Sequence, residues 1–79
     1  MPTVLRFGPF RFFFYSNEAN EPAHIHVQHD RRAAKFWLKP IGLAAHSGFP
    51  ARELRTLERL ARKHQAEFLE AWHEFFGCA

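Results

Sequence analysis

Thr3-Val4-Leu5-Arg6-Phe7-Gly8-Pro9-Phe10-Arg11-Phe12-Phe13-Phe14-Tyr15 contains two β-favouring runs with only Gly8-Pro9 between them. Gly at the first central position suits a type II′ two-residue turn, whose twist matches that of the strands it joins. Pro at the second is tolerated because that position need not donate to the ladder. The turn predicts a hairpin of Thr3 to Phe7 with Phe10 to Tyr15. Phe7 then pairs with Phe10, Arg6 with Arg11, Leu5 with Phe12, and Val4 with Phe13.

Outward from the hairpin, Ser16 to Ala23 is polar and turn-rich, a loop. His24 to His29 alternates as a third strand, Asp30-Arg31-Arg32 forms a turn, and Ala33 to Lys39 is a fourth strand that Pro40 ends. Ile41 to Phe49 reads as a connection with room for a short turn of helix. Beyond Pro50, Leu54, Leu57, Leu60 and Ala61 recur at helical spacing, as do Phe68, Leu69, Trp72, Phe75 and Phe76, and Gly77 is a stop. Residues 52 to 63 carry five basic and two acidic side chains, whereas residues 67 to 74 carry three acids and no Lys or Arg. In one continuous helix the cations would sit at the positive end of the dipole. A break near His64 puts Arg62 and Lys63 at a C-terminus and Glu67 at an N-terminus, so a helical hairpin is expected. The expected fold is α+β: a four-stranded, mainly antiparallel sheet with two C-terminal helices on one face, in a single domain spanning residues 1–79.

The composition agrees. The 79 residues are 47% hydrophobic and 24% charged, and ten Phe, two Trp and one Tyr supply rings enough for a thin core. One Cys, Cys78, permits neither an intrachain disulfide nor a Cys-based zinc site, and a reducing cytoplasm is the expected location. The longest apolar run, Phe12 to Tyr15, is far short of the roughly 20 residues that span a bilayer, so no membrane contact is expected. No basic head precedes an apolar segment, so no signal peptide is expected. A net charge of +3 with a pI near 9.6 points to an anionic partner.

Strand alternation sorts the sheet into two faces. Leu5, Phe7, Phe10, Phe12, Phe14, Ile25, Val27, Phe36 and Leu38 form an apolar face for the helices to cover. Arg6, Arg11, Phe13, Tyr15, His24, His26, Gln28, Lys35, Trp37 and Lys39 form the other, an expected open working surface. Arg6 opposite Arg11 is repulsive and calls for relief by water, by Glu18 or Glu21, or by a bound anion. His24 and His26 on one strand face suit proton transfer or a metal, with Glu18, Glu21, His29 and Asp30 as further ligand candidates. Two histidines alone make a weak motif, and no metal or other cofactor is assigned. On the first helix Arg52, Arg55, Arg59, Arg62 and Lys63 form a basic stripe that reads as a solvated face, a phosphate track or a dock for an acidic protein. Glu67, Glu70 and Glu74 on the second helix could neutralise it, within the chain or in a homodimer. No Gly-rich phosphate loop, nucleophile elbow or zinc-finger spacing occurs, and Ser16 and Ser47 lack motif context.

Met1 to Arg6, Phe10-Arg11-Phe12-Phe13-Phe14-Tyr15-Ser16-Asn17 and Pro22-Ala23-His24-Ile25-His26-Val27 resemble the start of a small bacterial family, domain of unknown function 4160. Ala34 to Leu38, Gly48-Phe49, Arg52-Glu53-Leu54 and Glu70 to Phe76 extend the likeness over nearly the whole chain. The family usually has Pro-Pro where this chain has Pro22-Ala23, and Ser where it has Pro50, which here removes a helix cap. The resemblance implies a compact cytosolic protein, often encoded beside another small protein in a pairing read as a toxin–antitoxin module. It assigns no catalytic residue.

Together these readings predict a component of such a module that binds RNA or an acidic partner protein, the product of the neighbouring gene. Arg6, Arg11, Tyr15, Lys35, Trp37, Lys39, Arg52, Arg55 and Arg59 are the expected contacts. Metal-independent RNA cleavage would use His24 and His26 to move protons. A non-catalytic interaction subunit and a metal-binding module through His24 and His26 are the alternatives.

Overall fold

A computed structural model describes residues 3–15, 18 and 20–77. Cys78 and Ser16, and with them part of the 16–23 loop, lie outside the described residues. Five strands precede two helices: β1 (Thr3–Phe7), β2 (Phe10–Phe13), β3 (His24–His29), β4 (Arg32–Leu38), β5 (Ile41–Ser47), α1 (Ala51–Lys63) and α2 (Gln65–Phe76). The strands form one antiparallel sheet in the order β1-β2-β3-β4-β5.

Three of the four strand connections are two-residue turns, each with its own chemistry. Gly8-Pro9 joins the Phe7↔Phe10 pair, and Gly8 has φ +58 as expected. Asp30-Arg31 joins His29↔Arg32, with Asp30 at φ +56, a conformation its short polar side chain tolerates. Lys39-Pro40, a cis peptide, joins Leu38↔Ile41. Only the β2–β3 connection is long, and among its described residues Glu18 and Pro22 meet His24 at the start of β3.

The sheet has five strands rather than four. Ile41 to Ser47, expected as a connection, is an edge strand along β4. Its Gly42, Ala44 and Ala45 give it low β-propensity; the unpaired edge of β4 and the tight turn at Pro40 supply the order that composition withholds.

The hairpin register holds at Phe7↔Phe10, Arg6↔Arg11 and Leu5↔Phe12, but Thr3, not Val4, faces Phe13 across a bulge. The extra residue lets Val4 and Leu5 both pack against the core.

α1 packs on β4 and β5, and α2 on β4. Phe12, Phe14, Ile25, Val27, Phe36 and Leu38 are buried beneath them with Leu57, Phe68 and Trp72. Phe12 stacks on Phe68 at 5.4 Å, and Phe14 meets Trp72 and Phe76 at 5.6 and 5.4 Å. Each fully buried large side chain contributes about 1.5–3 kcal/mol. Phe7, expected in this core, is 48% exposed, because β1 is the edge strand farthest from the helices.

The helices break at His64, whose backbone N–H caps α1 on Leu60 and Arg62. Arg62 and Lys63 lie in the last turn of α1 and Glu67 in the first turn of α2, as the dipole argument requires. Pro50 starts α1 with no side-chain cap. No described helix is long and apolar enough to cross a membrane.

Candidate functional site

The outer sheet face is less open than its residue types predict. Phe13 is only 4% exposed although no helix covers it. Arg11 lies over its ring at 4.4 Å, and Tyr15 and His26 flank it at 5.2 and 5.5 Å. Arg11 is further held by Nε donating to Thr3 Oγ1 at 2.9 Å and a guanidinium N–H donating to Gln28 Oε1 at 3.3 Å. This anchoring, not a carboxylate, settles its opposition to Arg6: Glu18 and Glu21 are engaged elsewhere. Lys35 donates to Glu21 Oε1 at 2.6 Å and sits 4.7 Å over Trp37.

His24 is the larger correction. Expected on an open face, it is fully buried. β2 ends at Phe13, opposite His26, so no strand flanks His24 on that side. Trp72 of α2 comes within 4.9 Å of its ring, with Trp37 at 5.8 Å and His26 at 5.0 Å, and Glu18 and Pro22 lie against its two ring nitrogens. A wholly buried imidazole cannot touch a polymeric substrate, so a His24/His26 acid–base pair working directly on RNA is not available.

The loop brings Glu18 to both histidines. His24 Nδ1 donates to the Pro22 carbonyl at 2.8 Å, since a carbonyl can only accept. That bond fixes the ring and aims Nε2 at Glu18 Oε1, 2.8 Å away. His26 Nε2 lies 2.9 Å from the same oxygen. Burial pushes the His26 imidazole below its ordinary value, against the opposing pull of Glu18. Burial pushes the Glu18 carboxyl up, but the hydrogen bonds from His24 and His26 and their charge outweigh it and hold the group below the usual carboxylate value. The glutamate is therefore a carboxylate at neutral pH. Glu21 Oε1 is 4.0 Å from His24 Nδ1, on the far side of the ring.

His29 and Asp30, the other ligand candidates, lie at the opposite end of β3 and pair at 3.5 Å. Beside His26, a shallow pocket of about 270 Å³ opens between Lys35 and His46 over a floor that includes Ala33 and Ala45. The sequence gives no sign of this pocket because β5, which supplies Ala45, His46 and Ser47, was not expected as a strand.

The remaining cations are spread out. Arg6 and Lys39 are exposed with no acidic partner among the described residues, and so are Arg52, Arg55 and Arg59 on α1. Arg62 pairs within its own helix with Glu58 at 2.7 Å. Glu67 bonds His64, and no described acid of α2 reaches the α1 stripe.

No curated protein and no solved structure matches the chain. A family model described as "Domain of unknown function (DUF4160)" matches residues 10–73, from the first residue of β2 to the last full turn of α2. That span holds Glu18, His24, His26, the Lys35–Glu21 pair and the α1 arginines, and with most of the chain matched this protein belongs to the DUF4160 family.

Proposed function

We propose that this protein is the RNA-binding member of a two-gene module of the toxin–antitoxin type. The observation that carries the reading is the row Arg52, Arg55 and Arg59 on the exposed side of α1, which no acid of the described chain neutralises. Guanidinium groups without internal partners are free to meet phosphates, and a contact of this kind carries the salt dependence of counterion release. Tyr15, exposed, and Trp37, half-buried, offer rings for stacking on the sheet side, with Arg6 and Lys39 as further charges. The reading is one of binding, since His24 is out of reach of a phosphodiester.

A protein partner is the second reading, favoured by Phe7 and Leu43, 48% and 40% exposed on the two edge strands. An edge strand with an apolar side chain can accept a partner's strand.

Fluorescence anisotropy with a labelled single-stranded RNA, measured across salt concentrations, tests the first reading. Three phosphate contacts give a slope of about −2 in log K against log salt. The Arg52→Glu, Arg55→Glu, Arg59→Glu variant should weaken binding more than tenfold and flatten that slope. Equal affinity for the variant and the parent, or no dependence on salt, would overturn the reading. Co-expression with the neighbouring gene product, followed by co-purification, tests the second.

A further inference from the structure

We propose that Glu18, His24 and His26 form a binding site for a divalent transition-metal ion of the Zn²⁺ class. Their nearest donor atoms, Glu18 Oε1 and the two Nε2 atoms, all lie within 4.8 Å of one another. Two imidazoles and one carboxylate make a donor set that Zn²⁺ and its first-row neighbours take readily, and one that Mg²⁺ and Ca²⁺, which prefer oxygen, do not.

Three further observations carry the assignment. First, His24 Nδ1 is committed to the Pro22 carbonyl, so in the neutral ring Nε2 is a lone pair. That lone pair is fully buried and points at a carboxylate oxygen 2.8 Å away, an arrangement that needs positive charge between them. A metal ion placed there supplies it. Second, a ligating histidine typically donates its other ring nitrogen to a carbonyl or carboxylate, which fixes its orientation, and the Pro22 bond does this. Third, the donors converge on one point. Metal–nitrogen bonds of about 2.0–2.1 Å put neighbouring tetrahedral ligand atoms about 3.3 Å apart. Glu18 Oε1 lies 2.8 and 2.9 Å from the two imidazole nitrogens and the three ligand atoms fall within 4.8 Å of one another, so an entering ion would push the carboxylate outward and draw the His26 ring toward the fixed ring of His24.

The shell around the site is carbon-rich: Trp72 and Trp37 border His24, and Phe13 and Tyr15 border His26. Such a shell limits solvent access and strengthens ligation. His24 is sealed, whereas Glu18 and His26 are 17% and 16% exposed, so the ion is approached from their side. Three protein ligands leave a fourth position for water or an incoming donor. A bound ion would fasten the β2–β3 loop to β3.

The test uses the full, untagged chain with Cys78→Ser, so that the lone thiol cannot bind. After chelator treatment it is titrated with Zn²⁺ against a chromophoric competitor, and with Co²⁺ by visible absorption. The expected result is one equivalent bound with micromolar or tighter affinity, a tetrahedral Co²⁺ spectrum, and a higher melting temperature with Zn²⁺. Glu18→Gln and His26→Gln should each weaken binding at least tenfold, whereas His73→Gln on the exposed side of α2 should leave it unchanged. Absence of saturable binding in the parent chain overturns the proposal whatever the variants do. So does one-equivalent binding that survives both ligand substitutions.

Discussion

The ring of His24 rests 4.9 Å from the indole of Trp72, and this contact ties the first residue of β3 to the last turns of α2. Trp72 also meets Phe14 at 5.6 Å and Phe76 at 4.2 Å, and is only 6% exposed. The helix that seals the core therefore also seals the histidine site. Trp72→Ala should cost about 3–5 kcal/mol, the range for deleting a large buried aromatic. Denaturant unfolding would show it, and the side-chain NMR resonances of His24 should shift in whatever fraction stays folded.

Glu18→Gln keeps the size of the side chain and removes its charge. Two imidazole nitrogens then face an amide, and the buried His24 loses its carboxylate partner. The expected loss is about 1–3 kcal/mol, the cost of leaving a buried polar group poorly satisfied. Urea denaturation measures it. An unchanged midpoint would mean that the Glu18 contacts contribute nothing in solution.

Stability should fall with acid in two stages. Burial holds His26 below its ordinary 6.5, and Glu18 is held below its ordinary 4.5 by the hydrogen bonds and charge that outweigh its burial. A group whose folded pKa is depressed stabilises the fold above its unfolded value and ceases to do so as pH falls through the folded value. The His26 contribution is thus complete above pH 6.5 and drains below it, and that of Glu18 is complete above pH 4.5 and drains below it. Lys35 also faces this cluster, and its charge adds to the reluctance of His26 to take a proton. Melting temperatures between pH 8 and pH 3 check the sequence of events, and His26→Gln should remove the upper stage.

Two glycines in the β5–α1 region should respond oppositely to alanine. Gly48 has φ +88, and a Cβ there would approach Arg32 Cγ to 3.1 Å. Gly48→Ala should cost about 1–2 kcal/mol for the left-handed backbone alone. Gly42 lies in β5, and a Cβ there meets nothing within 4 Å. Gly42→Ala should be neutral or stabilising by up to about 1 kcal/mol, since it removes backbone freedom from the unfolded chain. Thermal unfolding of the pair separates backbone strain from simple loss of glycine.

Read as a string, the chain determines its local order. Gly8-Pro9, Asp30-Arg31 and Pro40 are turn chemistry, and alternation through Phe10 to Phe13 and His24 to His29 selects which side chains face the helices. The charge switch at His64 divides the helices, because the dipole acts on near neighbours in sequence. Resemblance to the family is carried by the same local runs. Tertiary structure decided what depends on neighbours far along the chain. β5 exists because β4 had an unpaired edge, although its own residues favour a strand only weakly. Phe7 stays exposed because β1 is the edge strand farthest from the helices. Alternation places His24 with His26 on the outer face, yet β2 stops two pairs too early to border it, and Trp72 and Glu18 occupy the gap. Residue type and period could name His24, His26 and Glu18 as candidates, but only the packing of a loop and a helix against the start of one strand brings their donor atoms together.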